Sequence, residues 1–292
     1  ILPTPFYLLL KSYLNGRRFF VNINDEDSAI GLIKSGVPQG SVLGPVLYTI
    51  FTSDMPTNND VLIATYADDT AILASKQSAT EASNVVQRQL DVIQNWLNKW
   101  NIKVNAEKSV HVTYTLKQGD CPPVSLNGVA IPTSNCVKYL GIHIDRRLTW
   151  KSHITAKRKQ LDLITRKMYW LLGRKSQLSL ENKLIIYKTV LKPVWTYGIQ
   201  LWGTACYSNV DILQRFQSKT LRLITDAPWF VNNNTINDLN VPKIKDEIKR
   251  FSTNYLIRLS FHPNVLAITL LDDSDEVRRL KRLHILDLPF LS

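Results

Sequence analysis

The sequence predicts an α+β fold in which an antiparallel sheet with packed helices is followed by a helical region. Three observations carry that expectation. Paired short apolar runs bracket polar turns within the first 145 residues, as the strands of hairpins do. Residues 79–101 hold Val85, Val86, Leu90, Ile93, Leu97 and Trp100 at helical spacing, one long amphipathic helix able to pack on such a sheet. Composition then shifts at about Arg146, after which apolar stripes at helical spacing take over. With 292 residues, 45% of them hydrophobic, the chain is long enough for one large or two small domains with real cores.

Taken in order, Phe6, Leu9, Leu10 and Tyr13 lie at helical spacing behind two prolines suited to a helix start, and Asn15 and Gly16 end the segment. Residues 17–23 and 29–34 flank a polar loop at 22–28 and read as a hairpin. The second strand runs into Gly36, Val37, Pro38, Gln39, Gly40 and Ser41, an uncharged loop feeding an apolar helix over residues 42–51. Glycines there let backbone N–H groups approach a phosphate or base; the plainer reading is a helix start with Ser41 as N-cap. Residues 61–64 and 71–74 read as a second hairpin with Asp68 and Asp69 at its tip. Neighbouring side chains on a strand point to opposite faces, so one acid aims squarely into a given site, and Asp68 is the expected main ligand. A surface turn is the plainer reading, because Asp is common in turns.

Further on, residues 109–114 alternate and read as a strand, preceded by Asn105 and Lys108. Asn127 and Gly128 mark a hairpin within residues 122–132, and residues 137–145 read as another strand, with Gly141 leaving room for something to approach the backbone. Ile154, Leu161, Ile164, Met168 and Leu171 form the stripe of one helix, and Leu184, Ile185, Tyr187, Leu191 and Val194 that of a second. Another helix is expected over residues 209–224. The tail from Asp226 mixes Asn-rich turns with short helical patterns, its Arg278, Arg279, Lys281 and Arg282 reading as a solvated helix face.

The formal net charge is +12 and the pI near 9.6, which points to a polyanionic partner. No apolar run approaches the roughly 20 residues that span a bilayer, and the first residues lack the order of a signal peptide, so nucleic acid is preferred to membrane. Residues 146–192 hold 13 Lys or Arg against Asp162 and Glu181, a local +11 that is nearly the whole excess. A charged helix face is ordinarily just solvated, but one sign over nearly fifty residues reads as a binding face. Lys157, Arg158, Lys159, Arg166 and Lys167 fall largely off the apolar stripe and are the candidate backbone contacts. Cys121, Cys136 and Cys206 are odd in number and far apart, which argues against a disulfide framework or zinc knuckle and fits a reducing compartment. The chain opens on Ile1 rather than Met, as a piece of a longer protein would.

Tyr66, Ala67, Asp68 and Asp69 form a Tyr-x-Asp-Asp box 26 residues after Gly40 of the Gly36–Ser41 loop. In that order and spacing the two boxes resemble reverse transcriptases. Asn105 and Lys108 resemble the family's next motif, Asn-x-x-Lys, and Tyr139, Leu140, Gly141 and Ile142 resemble its primer-grip hairpin. Leu148, Thr149 and Trp150 through His153 and Ile154, with Leu191, Lys192 and Pro193 through Tyr197, Gly198 and Trp202, resemble the polymerases of jockey-like non-LTR retrotransposons. The resemblance covers about residues 1–225.

It implies a partial right-hand polymerase palm over residues 1–145, a helical basic thumb over 146–225 and a C-terminal extension of unassigned role over 226–292. It also implies RNA-directed DNA synthesis with two Mg2+ ions, an RNA template, a DNA primer and deoxynucleoside triphosphates, in the nucleus for target-primed synthesis or in the cytoplasm as a ribonucleoprotein. Asp68 and Asp69 would hold metal, Asp68 as the shared ligand. Gly36, Pro38, Gln39, Gly40, Ser41 and Tyr66 would line the template and nucleotide pocket. Lys108 would be the general acid for the leaving pyrophosphate. Tyr139, Leu140 and Gly141 would press on the primer, and the basic helices would grip the duplex backbone. Trp195, Tyr197 and Trp202 read as thumb core, and His153 as structural or phosphate-contacting.

The family's first catalytic aspartate and its fingers lie upstream of the Gly36–Ser41 loop, where this sequence has only Asp25, Glu26 and Asp27 in a hairpin loop. The expectation is therefore that this chain alone polymerises poorly or not at all. The alternatives are a non-catalytic nucleic-acid-binding remnant, an inert decayed copy, and a telomerase-like or maturase-like polymerase, which the jockey-like phrases disfavour.

Overall fold

The computed structural model describes residues 3–38, 40–228, 231, 239–271 and 283–290, and its fold is mixed α+β with small antiparallel sheets. Packing divides the chain into two compact units, residues 1–106 with 124–130, and residues 107–123 with 131–292.

The first unit begins with α1 (Thr4–Leu14), set up by Pro3 at its N-cap and Pro5 in its first turn, and ended at Asn15. Strands β1 (Arg18–Phe19) and β4 (Gly31–Leu32) pair, and between them β2 (Asn22–Ile23) pairs with β3 (Glu26–Asp27). Pairing thus penetrates the segment expected to be a loop. Only Asn24 and Asp25 turn the chain, both with positive φ (51° and 65°), a conformation their side chains tolerate. Helix α2 (Leu43–Phe51) leads to the antiparallel pair β5 (Leu62–Tyr66) and β6 (Asp69–Leu73).

Helix α3 (Ala79–Lys99) starts where Ser78 Oγ accepts the Glu81 N–H at 3.1 Å, a side-chain cap on its first turn. Its apolar stripe supplies Ile93, Trp96 and Leu97, against which Met55, Ile63, Ile72, Trp100, Ile102 and Val104 pack. The indoles of Trp96 and Trp100 donate to the Asp54 carboxylate at 2.8 and 3.1 Å, so this acid is consumed in holding α3. Strands β7 (Ser125–Leu126) and β8 (Val129–Ala130) close with Asn127 and Gly128 at positive φ, as their sequence predicts. Gln87 both donates to and accepts from the Ser125 backbone, which fixes that hairpin to α3.

In the second unit the strand expected over residues 109–114 is reduced to one bridge, His111 with Thr133. An alternating run needs a neighbour along its length to complete a ladder, and among the described residues this one is bridged only at His111, by Pro132 O and Ser134 N. The single strand read over residues 137–145 folds back on itself as β9 (Cys136–Tyr139) and β10 (Ile142–Asp145). Then come α4 (Lys151–Lys167), α5 (Tyr169–Leu172), α6 (Leu180–Ile186), a π-helical turn (Tyr187–Leu191), α7 (Lys192–Thr196), α8 (Ile199–Trp202) and α9 (Tyr207–Thr225). The second predicted helix is interrupted because Pro193 has no N–H for the turn before it, and a wider turn accommodates the lost bond. The wider turn also rotates the stripe: Tyr187 and Leu191 are fully buried while Ile185 is 55% exposed.

The tail is more regular than its sequence implies. Helix α10 (Ile244–Ser260) places Ile244 and Ile248 in the same core as Leu161, Trp195, Trp202 and Phe216, and Leu288 joins them. Arg278, Arg279, Lys281 and Arg282 lie outside the described residues. Among the described residues no helix is long and apolar enough to cross a membrane, and Cys121, Cys136 and Cys206 form no disulfide.

Candidate functional site

In the first unit, Tyr66 pairs with Asp69 across the β5–β6 ladder, leaving Ala67 and Asp68 as the two-residue turn, with Ala67 at φ 51°. Asp68 therefore takes its direction from the turn backbone rather than from a strand pleat, while Asp69 opens β6. Both carboxylates and Tyr66 are exposed, and among the described residues neither acid takes part in an ion pair. Two adjacent exposed carboxylates offer the hard oxygen donors that Mg2+ prefers. Among the described residues no cluster of three or more His, Cys, Asp or Glu side chains forms a metal site.

Tyr48, on α2 and 37% exposed, senses the charge of Asp68. Burial first, and then the negative charge of Asp68, push its phenol pKa up, so helix α2 carries a hydroxyl into electrostatic reach of the acid. Its one sequence signal is position, on the helix that the glycine loop feeds.

That loop is built rather than slack. The Arg17 guanidinium donates to the carbonyls of Leu14 (3.2 Å), Ser35 (3.1 Å) and Gly36 (2.6 Å). Gly36 and Gly40 sit at φ 77° and 79°, in the left-handed region where glycine alone is unstrained. Ser41 Oγ donates to Pro38 O at 2.8 Å and accepts the Gly44 N–H at 3.0 Å, so it caps α2 although the helix proper begins at Leu43. Gln39 lies outside the described residues.

Asn105 falls in the first unit and Lys108, exposed, in the second. In the second unit Tyr139 and Ile142 close the β9–β10 ladder around Leu140 (φ 46°) and Gly141 (φ 79°). The Asp145 carboxylate ends β10 and caps α4 at once, accepting the Thr149 N–H (3.0 Å), the Thr149 hydroxyl (3.1 Å) and the Trp150 N–H (2.7 Å). His153 Nδ1 accepts the His143 N–H at 3.3 Å, and its Nε2 is buried with no partner. Burial above all, with help from Lys157 and His143, pushes the His153 pKa down to about 4. This fully buried residue is structural, the first of its two expected roles.

On α4, Lys159, Arg166 and Lys167 are exposed. Arg158 instead pairs with Asp162 at 3.0 Å, donates to Ile212 O at 3.3 Å and lies over the Phe216 ring. Lys157 Nζ sits 5.4 Å from the centre of the Tyr197 ring. Arg146 pairs with Asp120, Arg174 with Asp226 and Lys192 with Glu247, so acids from outside the basic stretch neutralise part of it.

Residues 1–144 match the family described as reverse transcriptase (RNA-dependent DNA polymerase). The chain is 44% identical over 308 residues to the RNA-directed DNA polymerase from mobile element jockey of Drosophila melanogaster, covering 100% of this chain and 34% of that protein. The chain belongs to the reverse transcriptases of non-LTR retrotransposons. The probable RNA-directed DNA polymerase from transposon X-element of Drosophila melanogaster is also 44% identical, over 96% of this chain and 32% of that protein. The jockey polymerase of Drosophila funebris is 42% identical over 99% of this chain and 33% of its own length. This reverse transcriptase chain thus spans about a third of the length of the curated relatives it matches. The likeness runs through the tail beyond residue 225, which the motifs did not reach and which the second core includes.

Proposed function

We propose that the chain forms part of the nucleotidyl-transfer site of an RNA-directed DNA polymerase of a jockey-like element. The observation that carries this reading is the pair Asp68 and Asp69, exposed and, among the described residues, outside any ion pair, at the tip of an antiparallel hairpin in a chain of this family. Residues 1–145 are read as part of the palm, 146–225 as the thumb and 226–292 as an extension packed into the thumb core. The partners are an RNA template, a DNA primer and deoxynucleoside triphosphates.

In the reaction the primer 3'-hydroxyl oxygen bonds to the α-phosphorus of the nucleotide, and the bond to pyrophosphate breaks. Two Mg2+ ions, when bound, lower the pKa of that hydroxyl and offset charge on the phosphates. Asp68 and Asp69 would hold them, together with substrate oxygens and a further carboxylate. The Gly36–Ser41 loop, held by Arg17, presents uncharged backbone to template and nucleotide. Lys108 gives a proton to the leaving pyrophosphate oxygen, which is worth about 100-fold in rate. Lys159, Arg166 and Lys167 face duplex phosphates, so binding weakens as salt rises.

The test is a chimera in which this chain replaces the 44%-identical stretch of the jockey polymerase. Primer extension on an RNA template that is lost in Asp68→Asn supports the reading. A chimera that binds the hybrid but extends nothing, or that extends equally well with Asp68→Asn, overturns it, the former in favour of a non-catalytic binding remnant.

A further inference from the structure

The aromatic cluster expected to be core divides in the structure. Trp195 and Trp202 are buried, at 1% and 0% exposure, but Tyr197 between them is 51% exposed. It stands at the corner where α7 ends and α8 has not begun, with its own carbonyl accepting the Trp202 indole N–H at 3.2 Å. A half-exposed ring adds little to the core. Its hydroxyl, however, donates to Leu140 O at 2.6 Å, the carbonyl of the first residue in the β9–β10 turn.

The steric fit around that hydrogen bond is close on both sides. A Cβ placed on Gly141 would lie 3.2 Å from Tyr197 Cε1, and one on Gly198 would collide with Ile142 Cδ1. Two glycines, one in the turn and one in the helix corner, therefore let the turn and the corner interlock. Asp145 anchors the far end of the same hairpin and His153 accepts the His143 N–H two residues past the turn, so Tyr197 holds the turn itself.

We propose that Tyr197 is a positioning residue that sets the pose of the Leu140–Gly141 turn against the primer 3' end. This rests on the reading of Tyr139, Leu140 and Gly141 as the primer-contacting turn. Leu140 uses its backbone carbonyl, so no other side chain of the turn can replace the contact. Lys157, seated on the same ring, keeps a cation beside the turn for a nearby phosphate.

The experiment measures, on the 292-residue chain, affinity for an RNA–DNA hybrid with a recessed DNA 3' end and for an uninterrupted hybrid of equal length. The unsubstituted chain is expected to prefer the recessed end. Tyr197→Phe, which keeps the ring and removes only the hydroxyl, should reduce that preference about five- to ten-fold, as loss of one hydrogen bond would. Its affinity for the uninterrupted hybrid and its melting temperature should hold. Gly141→Ala, which pushes a methyl toward the ring, should reduce the preference as well. Unchanged preference in Tyr197→Phe overturns the role of Tyr197, whatever Gly141→Ala does, and leaves the reading of the turn intact. Equal weakening of both hybrids also overturns it, because a structural defect lowers binding without regard to the 3' end. No preference in the unsubstituted chain overturns the reading of the turn, and the proposal with it.

Discussion

The β5–β6 and β9–β10 hairpins share a plan and differ in what surrounds them. Each closes on a two-residue turn whose first residue is a non-glycine at positive φ, Ala67 in one and Leu140 in the other. Around the first turn Tyr66, Asp68 and Asp69 are exposed, and only Ile63, Ala71 and Ile72 of its strands are half-buried. Around the second, Tyr197 binds the turn carbonyl, His153 binds the β10 backbone, and Asp145 caps a helix. The first turn thus leaves its acids open to solution, whereas the second is held in shape by side chains packed around it.

The most drastic way to break this contrast is to empty the core under the second hairpin. Trp202→Ala removes a fully buried ring and should cost about 3–5 kcal/mol, read as a fall in the denaturant midpoint. Leu62→Ala on the exposed first hairpin should cost less than about 0.5 kcal/mol, and comparable losses would erase the distinction. The reverse pattern is expected in catalysis. Asp68→Asn should slow primer extension by the chimera about 100- to 1,000-fold while leaving its melting temperature alone.

Acid should then separate the regions further. His153 has its folded pKa pushed down to about 4, so between pH 6.5 and 4 the unfolded chain takes up a proton that the folded one refuses. Stability falls as pH falls through that window, by at most about 3 kcal/mol, and the residue contributes no slope above pH 6.5. At Glu247 burial alone would raise the pKa, but hydrogen bonds from Lys192 and Arg250 outweigh it and hold the carboxyl below its usual range. Its stabilisation is present above the unfolded pKa and is lost as pH falls through the folded one. Urea midpoints at pH 7 and pH 5 test this, and His153→Asn, which keeps an acceptor for the His143 N–H, should flatten the difference. A more modest loss is expected at Asp145→Ala, about 1–2 kcal/mol for the lost α4 cap, with the β5–β6 site unaffected.

Elements whose signal is local were legible. Helices α1, α3 and α9, the Asn127–Gly128 turn and the β5–β6 hairpin follow from spacing and turn chemistry, and they form within a residue or two of their expected bounds. The candidate acids, the glycine loop and Lys108 were named from short-range motifs. The fold-back at Leu140 and Gly141 was hidden from periodicity because residues 137–145 are apolar enough to pass for one strand; only the family resemblance marked a hairpin there. Tyr48 beyond its place on α2, the reach of Arg17 to Ser35 and Gly36, and the exposure of Tyr197 were not legible, since each depends on a separation that spacing does not report.

By itself, then, the sequence determined the α+β class, the family, the exposed acids at a turn and the basic character of residues 146–192. Only tertiary structure decided how that charge is used. Asp120, Asp226 and Glu247, all outside the basic stretch, pair with Arg146, Arg174 and Lys192, while Lys183 is buried against Gly173 O. Lys159, Arg166 and Lys167 are left facing solvent. The same holds for the two hairpins. Turn residues and alternation suffice to make both, because those forces act between near neighbours. That the second turn is pinned depends on Tyr197, 57 residues beyond Leu140 and brought into contact only when the second core forms.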